Sequence, residues 1–409
     1  MAGDVLVPLG EHLAAVLALG SPGPTVRLGL LDAQGCVLAA PVASRHALPP
    51  FTSSAMDGYA LRAVDTGPGG CELVVVGEVL AGDPSRIALQ EGQAVRILTG
   101  APLPEGADAV VAVEETDRGR ERVRLTASVR TGQSVRQEGE ECPAGALVLP
   151  AGRVVGAAEI AAAAGAGYGH LDVIRRPRVA VLTTGQELAE PGAPLRPGQV
   201  PDSNGPALAA AVRAAGGDLV ALRRAGDDAG SVLAELEALA RSCDLLLSTG
   251  GVSAGEENDP VRFALEARGS VAFTSVALQP GKPQAAGTIE GTAFLGFPGN
   301  PVSALVSFAL FGRPLLRRLA GRTAEPARFV ELGADVSPLH DKTRLVRAAL
   351  SLAHGRLLAH PLAGRASHLV GGLGVTDACL VVPPGRAAVP AGTLVQAVSW
   401  AGADDGPGA

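Results

Sequence analysis

Leu245-Leu246-Leu247-Ser248-Thr249-Gly250-Gly251-Val252-Ser253 is a short apolar run that breaks into hydroxyls and a glycine pair. The run is of strand length, and glycines at its end let the backbone turn sharply and let a ligand approach the amides. Two other apolar runs end in the same manner. Arg178–Leu182 enters Thr183-Thr184-Gly185-Gln186-Glu187-Leu188, and Ala293–Gly296 enters Phe297-Pro298-Gly299-Asn300-Pro301-Val302-Ser303. Around them lie helical patterns at Pro206–Ala215, Ser231–Arg241, Pro260–Arg268 and Val302–Ala320, with a further strand at Leu219–Arg223. Strands alternating with helices need crossover connections, so this region is expected to be a parallel α/β sheet with helices on both faces. Ligands of such sheets bind outside the carboxyl ends of the strands. An anion-binding edge between Thr183 and Ser303 is therefore expected.

The texture differs on either side. Val5–Leu19 has helical spacing and stops at the breaker run Gly20–Pro24. Residues 25–50 read as a short strand and a helix leading to Pro49-Pro50. From about Thr52 to Leu149, Val-rich runs such as Leu73–Val79, Ala94–Leu98 and Ala109–Val113 alternate with Gly, Pro and Asp, the pattern of a small β-rich domain. Ala157–Ala166 is an Ala-rich helix. After Gly321 the β texture returns, and residues 330–400 suggest a small barrel or sandwich. The polar tail Gly402–Ala409 is expected to fray.

Composition narrows the function. The chain has 409 residues, enough for roughly two to four domains. Its net charge of −7 and 3% aromatic content argue against a nucleic-acid partner, which needs basic stripes or stacking platforms. Cys36, Cys71, Cys142, Cys243 and Cys379 have no zinc or redox spacing and read as free thiols of a reducing compartment. Met1–Gly10 does not read as a signal peptide, and the longest apolar stretches are too short to span a bilayer. A cytoplasmic location without membrane attachment is expected by elimination.

Several residues near the sheet edge suit an anion. Pro301 fits the first position of a helix and Asn300 its cap, so the following helix offers unpaired N–H groups and a positive dipole end. Lys282, in Pro280-Gly281-Lys282-Pro283, is a single cation presented between two prolines. Glu187, Asp227, Asp228 and Asp259 fall near the same edge. Acids beside phosphate suggest Mg²⁺, although each alone reads equally as a helix cap or a solvated charge. Pro49–Ala60 and Leu98–Asp108 are polar loops outside the α/β region, and by spacing alone they are hairpin turns.

Taken in order, SAMDGYA (54–60), TGAPLPEGADAVV (99–111), TTGQEL (183–188), DSN (202–204), STGGVSAGE (248–256), PGKP (280–283) and FPGNPVSA (297–304) run across nearly the whole chain. This ordered set closely resembles the MoeA family of molybdopterin molybdotransferases, which includes the E domain of gephyrin and its plant counterpart. The resemblance implies a MogA/MoaB-like three-layer α/β/α domain at 177–322, a β-rich domain at 51–142, and a C-terminal β-barrel at 323–400. A linking domain from 25–50 and 143–176, an N-terminal helix within 1–24 packed on the α/β domain, and a disordered tail at 401–409 complete it. It implies a homodimer that inserts molybdate into adenylylated molybdopterin, releasing AMP, with Mg²⁺, downstream of a molybdopterin adenylyltransferase. Carried over, Asp57, Thr99, Glu187 and Lys282 are the expected catalytic residues, with Asp57 and Thr99 facing the pocket from the second domain across the dimer. Ser203, Asn204, Asp228, Thr249, Gly250, Gly251, Ser253, Asp259, Pro298, Asn300 and Pro301 are the expected substrate-binding residues. Glu187, Asp228 and Asp259 are the expected metal ligands.

Four positions depart from the family pattern. Thr52-Ser53 stand where Asp-Asn is usual, Gln279 stands where a lysine often precedes the GKP lysine, and Glu141 replaces a shorter acid. The lost positive charge implies either weaker anion binding or compensation by Arg262. Alternatives to the transferase are a tungstate-inserting homologue, a non-catalytic molybdopterin-binding scaffold, and a nucleotide hydrolase of the CinA type. The SAMDGYA and TGAPLPEGAD loops speak against the last.

Overall fold

The computed structural model describes residues 5–82, 87–252, 259–266, 269–353, 355–362 and 366–399. The chain divides into two compact units, one of residues 1–26, 35–37 and 173–409, the other of 27–34 and 38–172.

The larger unit holds a six-stranded sheet in the order Asp218–Ala225, Arg178–Thr184, Leu245–Thr249, Thr292–Phe297, Pro283–Ile289, Val271–Ser275. The first four strands are parallel, as the alternation of strands and helices predicts. The last two are antiparallel, which corrects the expectation of a wholly parallel sheet. Pro283–Ile289 doubles back through a tight turn in which Glu290 and Gly291 have φ of 49° and 79°. Positive φ at both central residues fits the twist of a hairpin. Glu-Gly is a weaker turn signal than Asn-Gly, and the hairpin is not read from the sequence for that reason.

Alternate residues of each strand face opposite layers. Val179, Val181, Leu247 and Leu295 pack with Leu208, Val212, Phe311 and Leu315. Ala180, Leu182, Leu246 and Phe294 pack with Val232, Leu236, Val261 and Leu265. Both faces are thus covered, and the sheet is the middle of three layers. The helix Leu9–Leu17 buries His12 and Val16, and the His12 ring stands edge-on to Phe311 with centroids 4.7 Å apart. Burial pushes the His12 pKa down to about 4, so its ring is neutral at pH 7.

Val302–Ala320 reads as one long helix. The structure divides it into Pro301–Ser307, a π-turn over Phe308–Gly312, and Arg313–Leu319. Pro314 has no N–H to give to the preceding turn, so the hydrogen-bond ladder widens just before it. Further along the unit, Thr343–Ala353, Arg356–Pro361, Arg328–Leu332, Leu394–Ser399 and Ala378–Val382 pair in that order, and the last pairs back to the first. This is a closed five-stranded barrel, which decides between the barrel and sandwich readings. Val330, Leu332, Val346, Ala348, Leu380 and Val395 fill its interior, and closure leaves no unpaired edge.

In the smaller unit the sheet runs Ala109–Ala112, Gly58–Leu61, Gln93–Ile97, Cys71–Val79, Arg122–Leu125. Gly58 is required sterically, because a Cβ there would lie 1.9 Å from the carbonyl oxygen of Val111 on the next strand. Ala157–Gly165 is the Ala-rich helix. The helix expected within residues 25–50 is absent. Ala33 N–H donates to Gly29 O at 2.9 Å and Gln34 N–H to Leu31 O at 3.2 Å, closing a turn that Gly35 ends at φ 78°. Among the described residues, no helix is long and apolar enough to cross a membrane.

Candidate anion-binding site

Parallel register brings three strand ends side by side: Thr183 pairs with Thr249, and Thr249 with Phe297. Their side chains and the start of the helix Asn204–Ala214 are tied by a polar network. Asn204 Nδ2 donates to Thr249 Oγ1 at 3.0 Å and to Gly299 O at 2.7 Å. Thr249 Oγ1 in turn donates to Pro298 O at 2.9 Å. Thr183 Oγ1 donates to Asp202 Oδ2 at 2.8 Å, and Gly205 N–H donates to Asp202 Oδ1 at 2.9 Å. Gly250 N–H donates to Phe297 O at 3.1 Å. Gly250 and Gly251 have φ of 88° and 71°, the left-handed region that glycine enters without a Cβ clash. Here Thr249, Gly250, Asn204 and Pro298 lie together, and Ser203 stands at the N-cap position of the helix, partly exposed and without a side-chain capping bond. Ser253 lies outside the described residues.

Pro301 opens its helix and Asn300 caps it, as expected, although the Asn300 side chain makes no capping bond. One helix amide expected to face an anion is already used: Val302 N–H donates to Ser367 O at 3.1 Å.

The acids are spread along the edge. Asp228 caps the helix Ala229–Ala240, accepting from Ser231 N–H at 2.8 Å and Ser231 Oγ at 2.7 Å. Those bonds hold its carboxyl below the usual carboxylate range. Gln186 N–H donates to Asp227 Oδ2 at 3.4 Å. Glu187 is exposed and its carboxylate folds over Gly185, where a Cβ would meet Oε2 at 2.6 Å. Asp259 is buried beside Gly251. Among the described residues, no three His, Cys, Asp or Glu side chains gather to hold a metal ion.

Lys282 is held by its loop. Val276 N–H donates to Lys282 O at 2.8 Å. The buried Gln284 donates through Nε2 to Gly281 O at 2.8 Å and to Ser307 Oγ at 2.7 Å, pinning the loop to the helix behind it. Lys282 lines a cavity of about 540 Å³ with Gln279, Asn300, Ser303, Lys342, Ser367 and His368. Among the described residues, no Asp or Glu lines it. Arg262, the expected compensating charge, is not among its lining residues. Its guanidinium donates to Glu266 at 3.1 Å and lies 5.4 Å from the Phe273 ring centroid.

In the smaller unit, Gly58 pairs with Ile97, which sets Asp57 beside the exit of the Gln93–Ile97 strand. Thr99 N–H and Thr99 Oγ1 both donate to Asp57 Oδ1 at 2.7 Å. These two bonds, backbone first, lower the Asp57 pKa, so the exposed carboxylate stays ionised to a lower pH than a free one. Thr99→Val removes the hydroxyl bond and leaves the amide. It is expected to move the Asp57 pKa upward, so the carboxylate gains its proton at a higher pH on acidification. Carbon-13 NMR titration of the Asp57 carboxyl checks this, and an unmoved titration would remove Thr99 Oγ1 as a cause.

Sequence reading missed Lys342, Ser367, His368 and Gln284. They have no local signature, since the first three lie on the barrel side of the cavity and Gln284 sits within an unremarked strand. Asp202 was visible within DSN, but nothing in the spacing marked it as the acceptor of Thr183.

Residues 7–167 match the MoeA N-terminal region (domain I and II), 180–318 a probable molybdopterin binding domain, and 330–400 the MoeA C-terminal region (domain IV). The chain is 40% identical to molybdopterin molybdenumtransferase 2 of Mycobacterium tuberculosis over 397 residues, covering 94% of this chain and 98% of the relative. It is 31% identical to molybdopterin molybdenumtransferase of Bacillus subtilis, covering 95% and 93%. A crystal structure of a molybdopterin biosynthesis MoeA protein from Pyrococcus horikoshii superposes with a TM-score of 0.82 at 30% identity, covering 97% of this chain and all of that one.

Proposed function

We infer, from a chain that belongs to the MoeA family of molybdopterin molybdenumtransferases, that it is a transferase of molybdenum cofactor biosynthesis acting on molybdopterin and molybdate. The observation that carries the reading is the cavity containing Lys282 and Lys342, whose described lining residues include no acid, beside the locked glycine turns. Molybdate is a tetrahedral dianion, and ammonium groups with Asn300, Ser303 and Ser367 are suitable donors for it. The turns at Gly250, Gly251 and Pro298–Asn300 would take the adenylylated molybdopterin, whose phosphates need open amides and close approach. The overall change takes adenylylated molybdopterin, molybdate and two protons to molybdenum cofactor, AMP and water: the phosphoanhydride is cleaved to release AMP, and two oxygens of molybdate are exchanged for the dithiolene sulfurs.

The donor set bears on Mg²⁺. Asp228 accepts both capping bonds on Oδ2, which leaves Oδ1, so Glu187, Asp228 and Asp259 are the acids that would hold the ion, with the substrate's phosphates and water completing its shell. Mg²⁺ commonly keeps such a mixed shell. Bound there it would neutralise phosphate charge. Asp57, kept ionised by Thr99, is proposed as a further catalytic carboxylate. A homodimer, a cytoplasmic setting and supply by a molybdopterin adenylyltransferase belong to the same proposal.

The test incubates the protein with adenylylated molybdopterin, Mg²⁺ and molybdate. AMP release that depends on molybdate is the expected result. Tight ligand binding without release would replace the transferase by a scaffold, and preferential turnover with tungstate would change the oxyanion. Light scattering during gel filtration checks the dimer.

A further inference from the structure

The three strand-end turns are joined by more than strand pairing. Buried Asp202 accepts from Thr183 Oγ1 and from Gly205 N–H, so the start of the helix Asn204–Ala214 is fixed to the first turn. Asn204 then reaches the other two. Its Nδ2 stands 3.0 Å from Thr249 Oγ1 and 2.7 Å from Gly299 O. Gly299 O can only accept, so the atom facing it must be the amide nitrogen, which fixes the orientation of the side-chain amide. Thr249 Oγ1 spends its own proton on Pro298 O at 2.9 Å, so it too must accept from Asn204. Both N–H groups of the amide are therefore spent inside the protein, and no donor is left on Asn204 for a phosphate. The two turns it bridges stand against each other: a Cβ on Gly299 would lie 3.5 Å from Gly250 Cα. The Gly250 N–H to Phe297 O bond ties them at their base, and Asn204 with Thr249 ties them further out, at Pro298 and Gly299.

We propose, on the reading that these turns take the adenylylated molybdopterin, that Asn204 is a positioning residue. It is a strut that works through Thr249 to hold the Gly250-Gly251 turn and the Pro298–Asn300 turn at the spacing the ligand needs. Its part is preorganisation of the backbone, not a grip on the anion. Without the strut, the turns must be ordered each time ligand binds, so the cost falls on affinity.

The KM for adenylylated molybdopterin, the kcat and the melting temperature are measured for Asn204→Ala, Thr249→Val, Thr249→Ser and Asn204→Ala/Thr249→Val, with Gly250→Ala as reference. Asn204→Ala is expected to raise KM about tenfold, the scale of one or two neutral hydrogen bonds, with kcat at saturating ligand held. A merely structural Asn204 would lower kcat through lost folded protein and lower the melt with it, and that result would overturn the proposal. Thr249→Val removes the hydroxyl through which the strut works and is expected to cost about as much. Thr249→Ser is expected to recover most of what Thr249→Val loses, because the hydroxyl returns. The double variant is expected to stay within about twofold of the weaker single one, since both changes break the same strut. Losses that multiply in the double variant, or a Thr249→Ser as weak as Thr249→Val, would show two separate roles and overturn the proposal. An unchanged KM in Asn204→Ala, with a raised KM in Gly250→Ala, would overturn it and leave the site reading intact. An unchanged KM in both would overturn the site reading itself.

Discussion

Lys282→Ala is expected to lower kcat/KM for molybdate by about a hundredfold with little change in melting temperature. The loop that carries Lys282 is fixed by backbone and Gln284 contacts, namely Val276 N–H to Lys282 O and Gln284 Nε2 to Gly281 O and Ser307 Oγ. These bonds run through backbone atoms and the Gln284 side chain, so they are expected to remain when the Lys282 head group is removed. Among the described lining residues, which include two lysines and no acid, what is lost is one lysine charge, and it is lost where a dianion must be held while charge builds on the leaving phosphate. The effect should fall on both KM and kcat, because the charge serves the bound oxyanion and the transition state alike. Titrating molybdate against AMP release measures it, and a circular-dichroism melt separates it from unfolding. Activity within twofold of the parent would remove Lys282 from the machinery.

Gly250→Ala is expected to damage stability and ligand binding together. Gly250 has φ 88°, where an L side chain is disfavoured by roughly 1–2 kcal/mol. Its new Cβ would also lie 2.6 Å from Thr184 O and 2.9 Å from Thr184 Oγ1. Those atoms belong to a buried strand end and have little room to retreat. The Gly250 N–H to Phe297 O bond would be displaced as well, loosening two of the three turns together. A loss of about 2–4 kcal/mol of unfolding free energy is expected, read by urea denaturation. Loss of pterin-nucleotide binding should accompany it. Gly192→Ala is the control: its φ is 86°, but nothing lies within 4 Å of the added carbon. Only the backbone cost, about 1 kcal/mol, should appear there. Equal losses at both positions would show that crowding at Gly250 plays no part.

Much of the α/β architecture was legible because its signals are local. Apolar runs such as Arg178–Leu182 and Leu245–Leu247 read as strands covered on both faces, since the apolar residues follow one another without alternation. Gly250 and Gly251 announce positive φ because other residues avoid it. The parallel order followed from the helices between strands. The Pro283–Phe297 hairpin did not, because its Glu290-Gly291 turn is a weak signal and its strands contain glycine and alanine. Asp228 illustrates the ambiguity of a single acid: the cap and the ligand look alike in sequence, and only the bonds from Ser231 show the capping role.

The sequence by itself determined the strands, the glycine turns that end them, the rigid lysine loop, and the family to which the chain belongs. Only the tertiary structure decided which side chains meet. Asn204 reaches Gly299 across 95 positions, and Lys342 comes to the Lys282 cavity through the pairing of Leu278–Gln279 with Thr343–Arg344. Dihedral preferences and burial patterns act over a few residues and can be read along the chain. Contacts between distant residues arise from how packed layers fall together, and no short stretch of sequence encodes them.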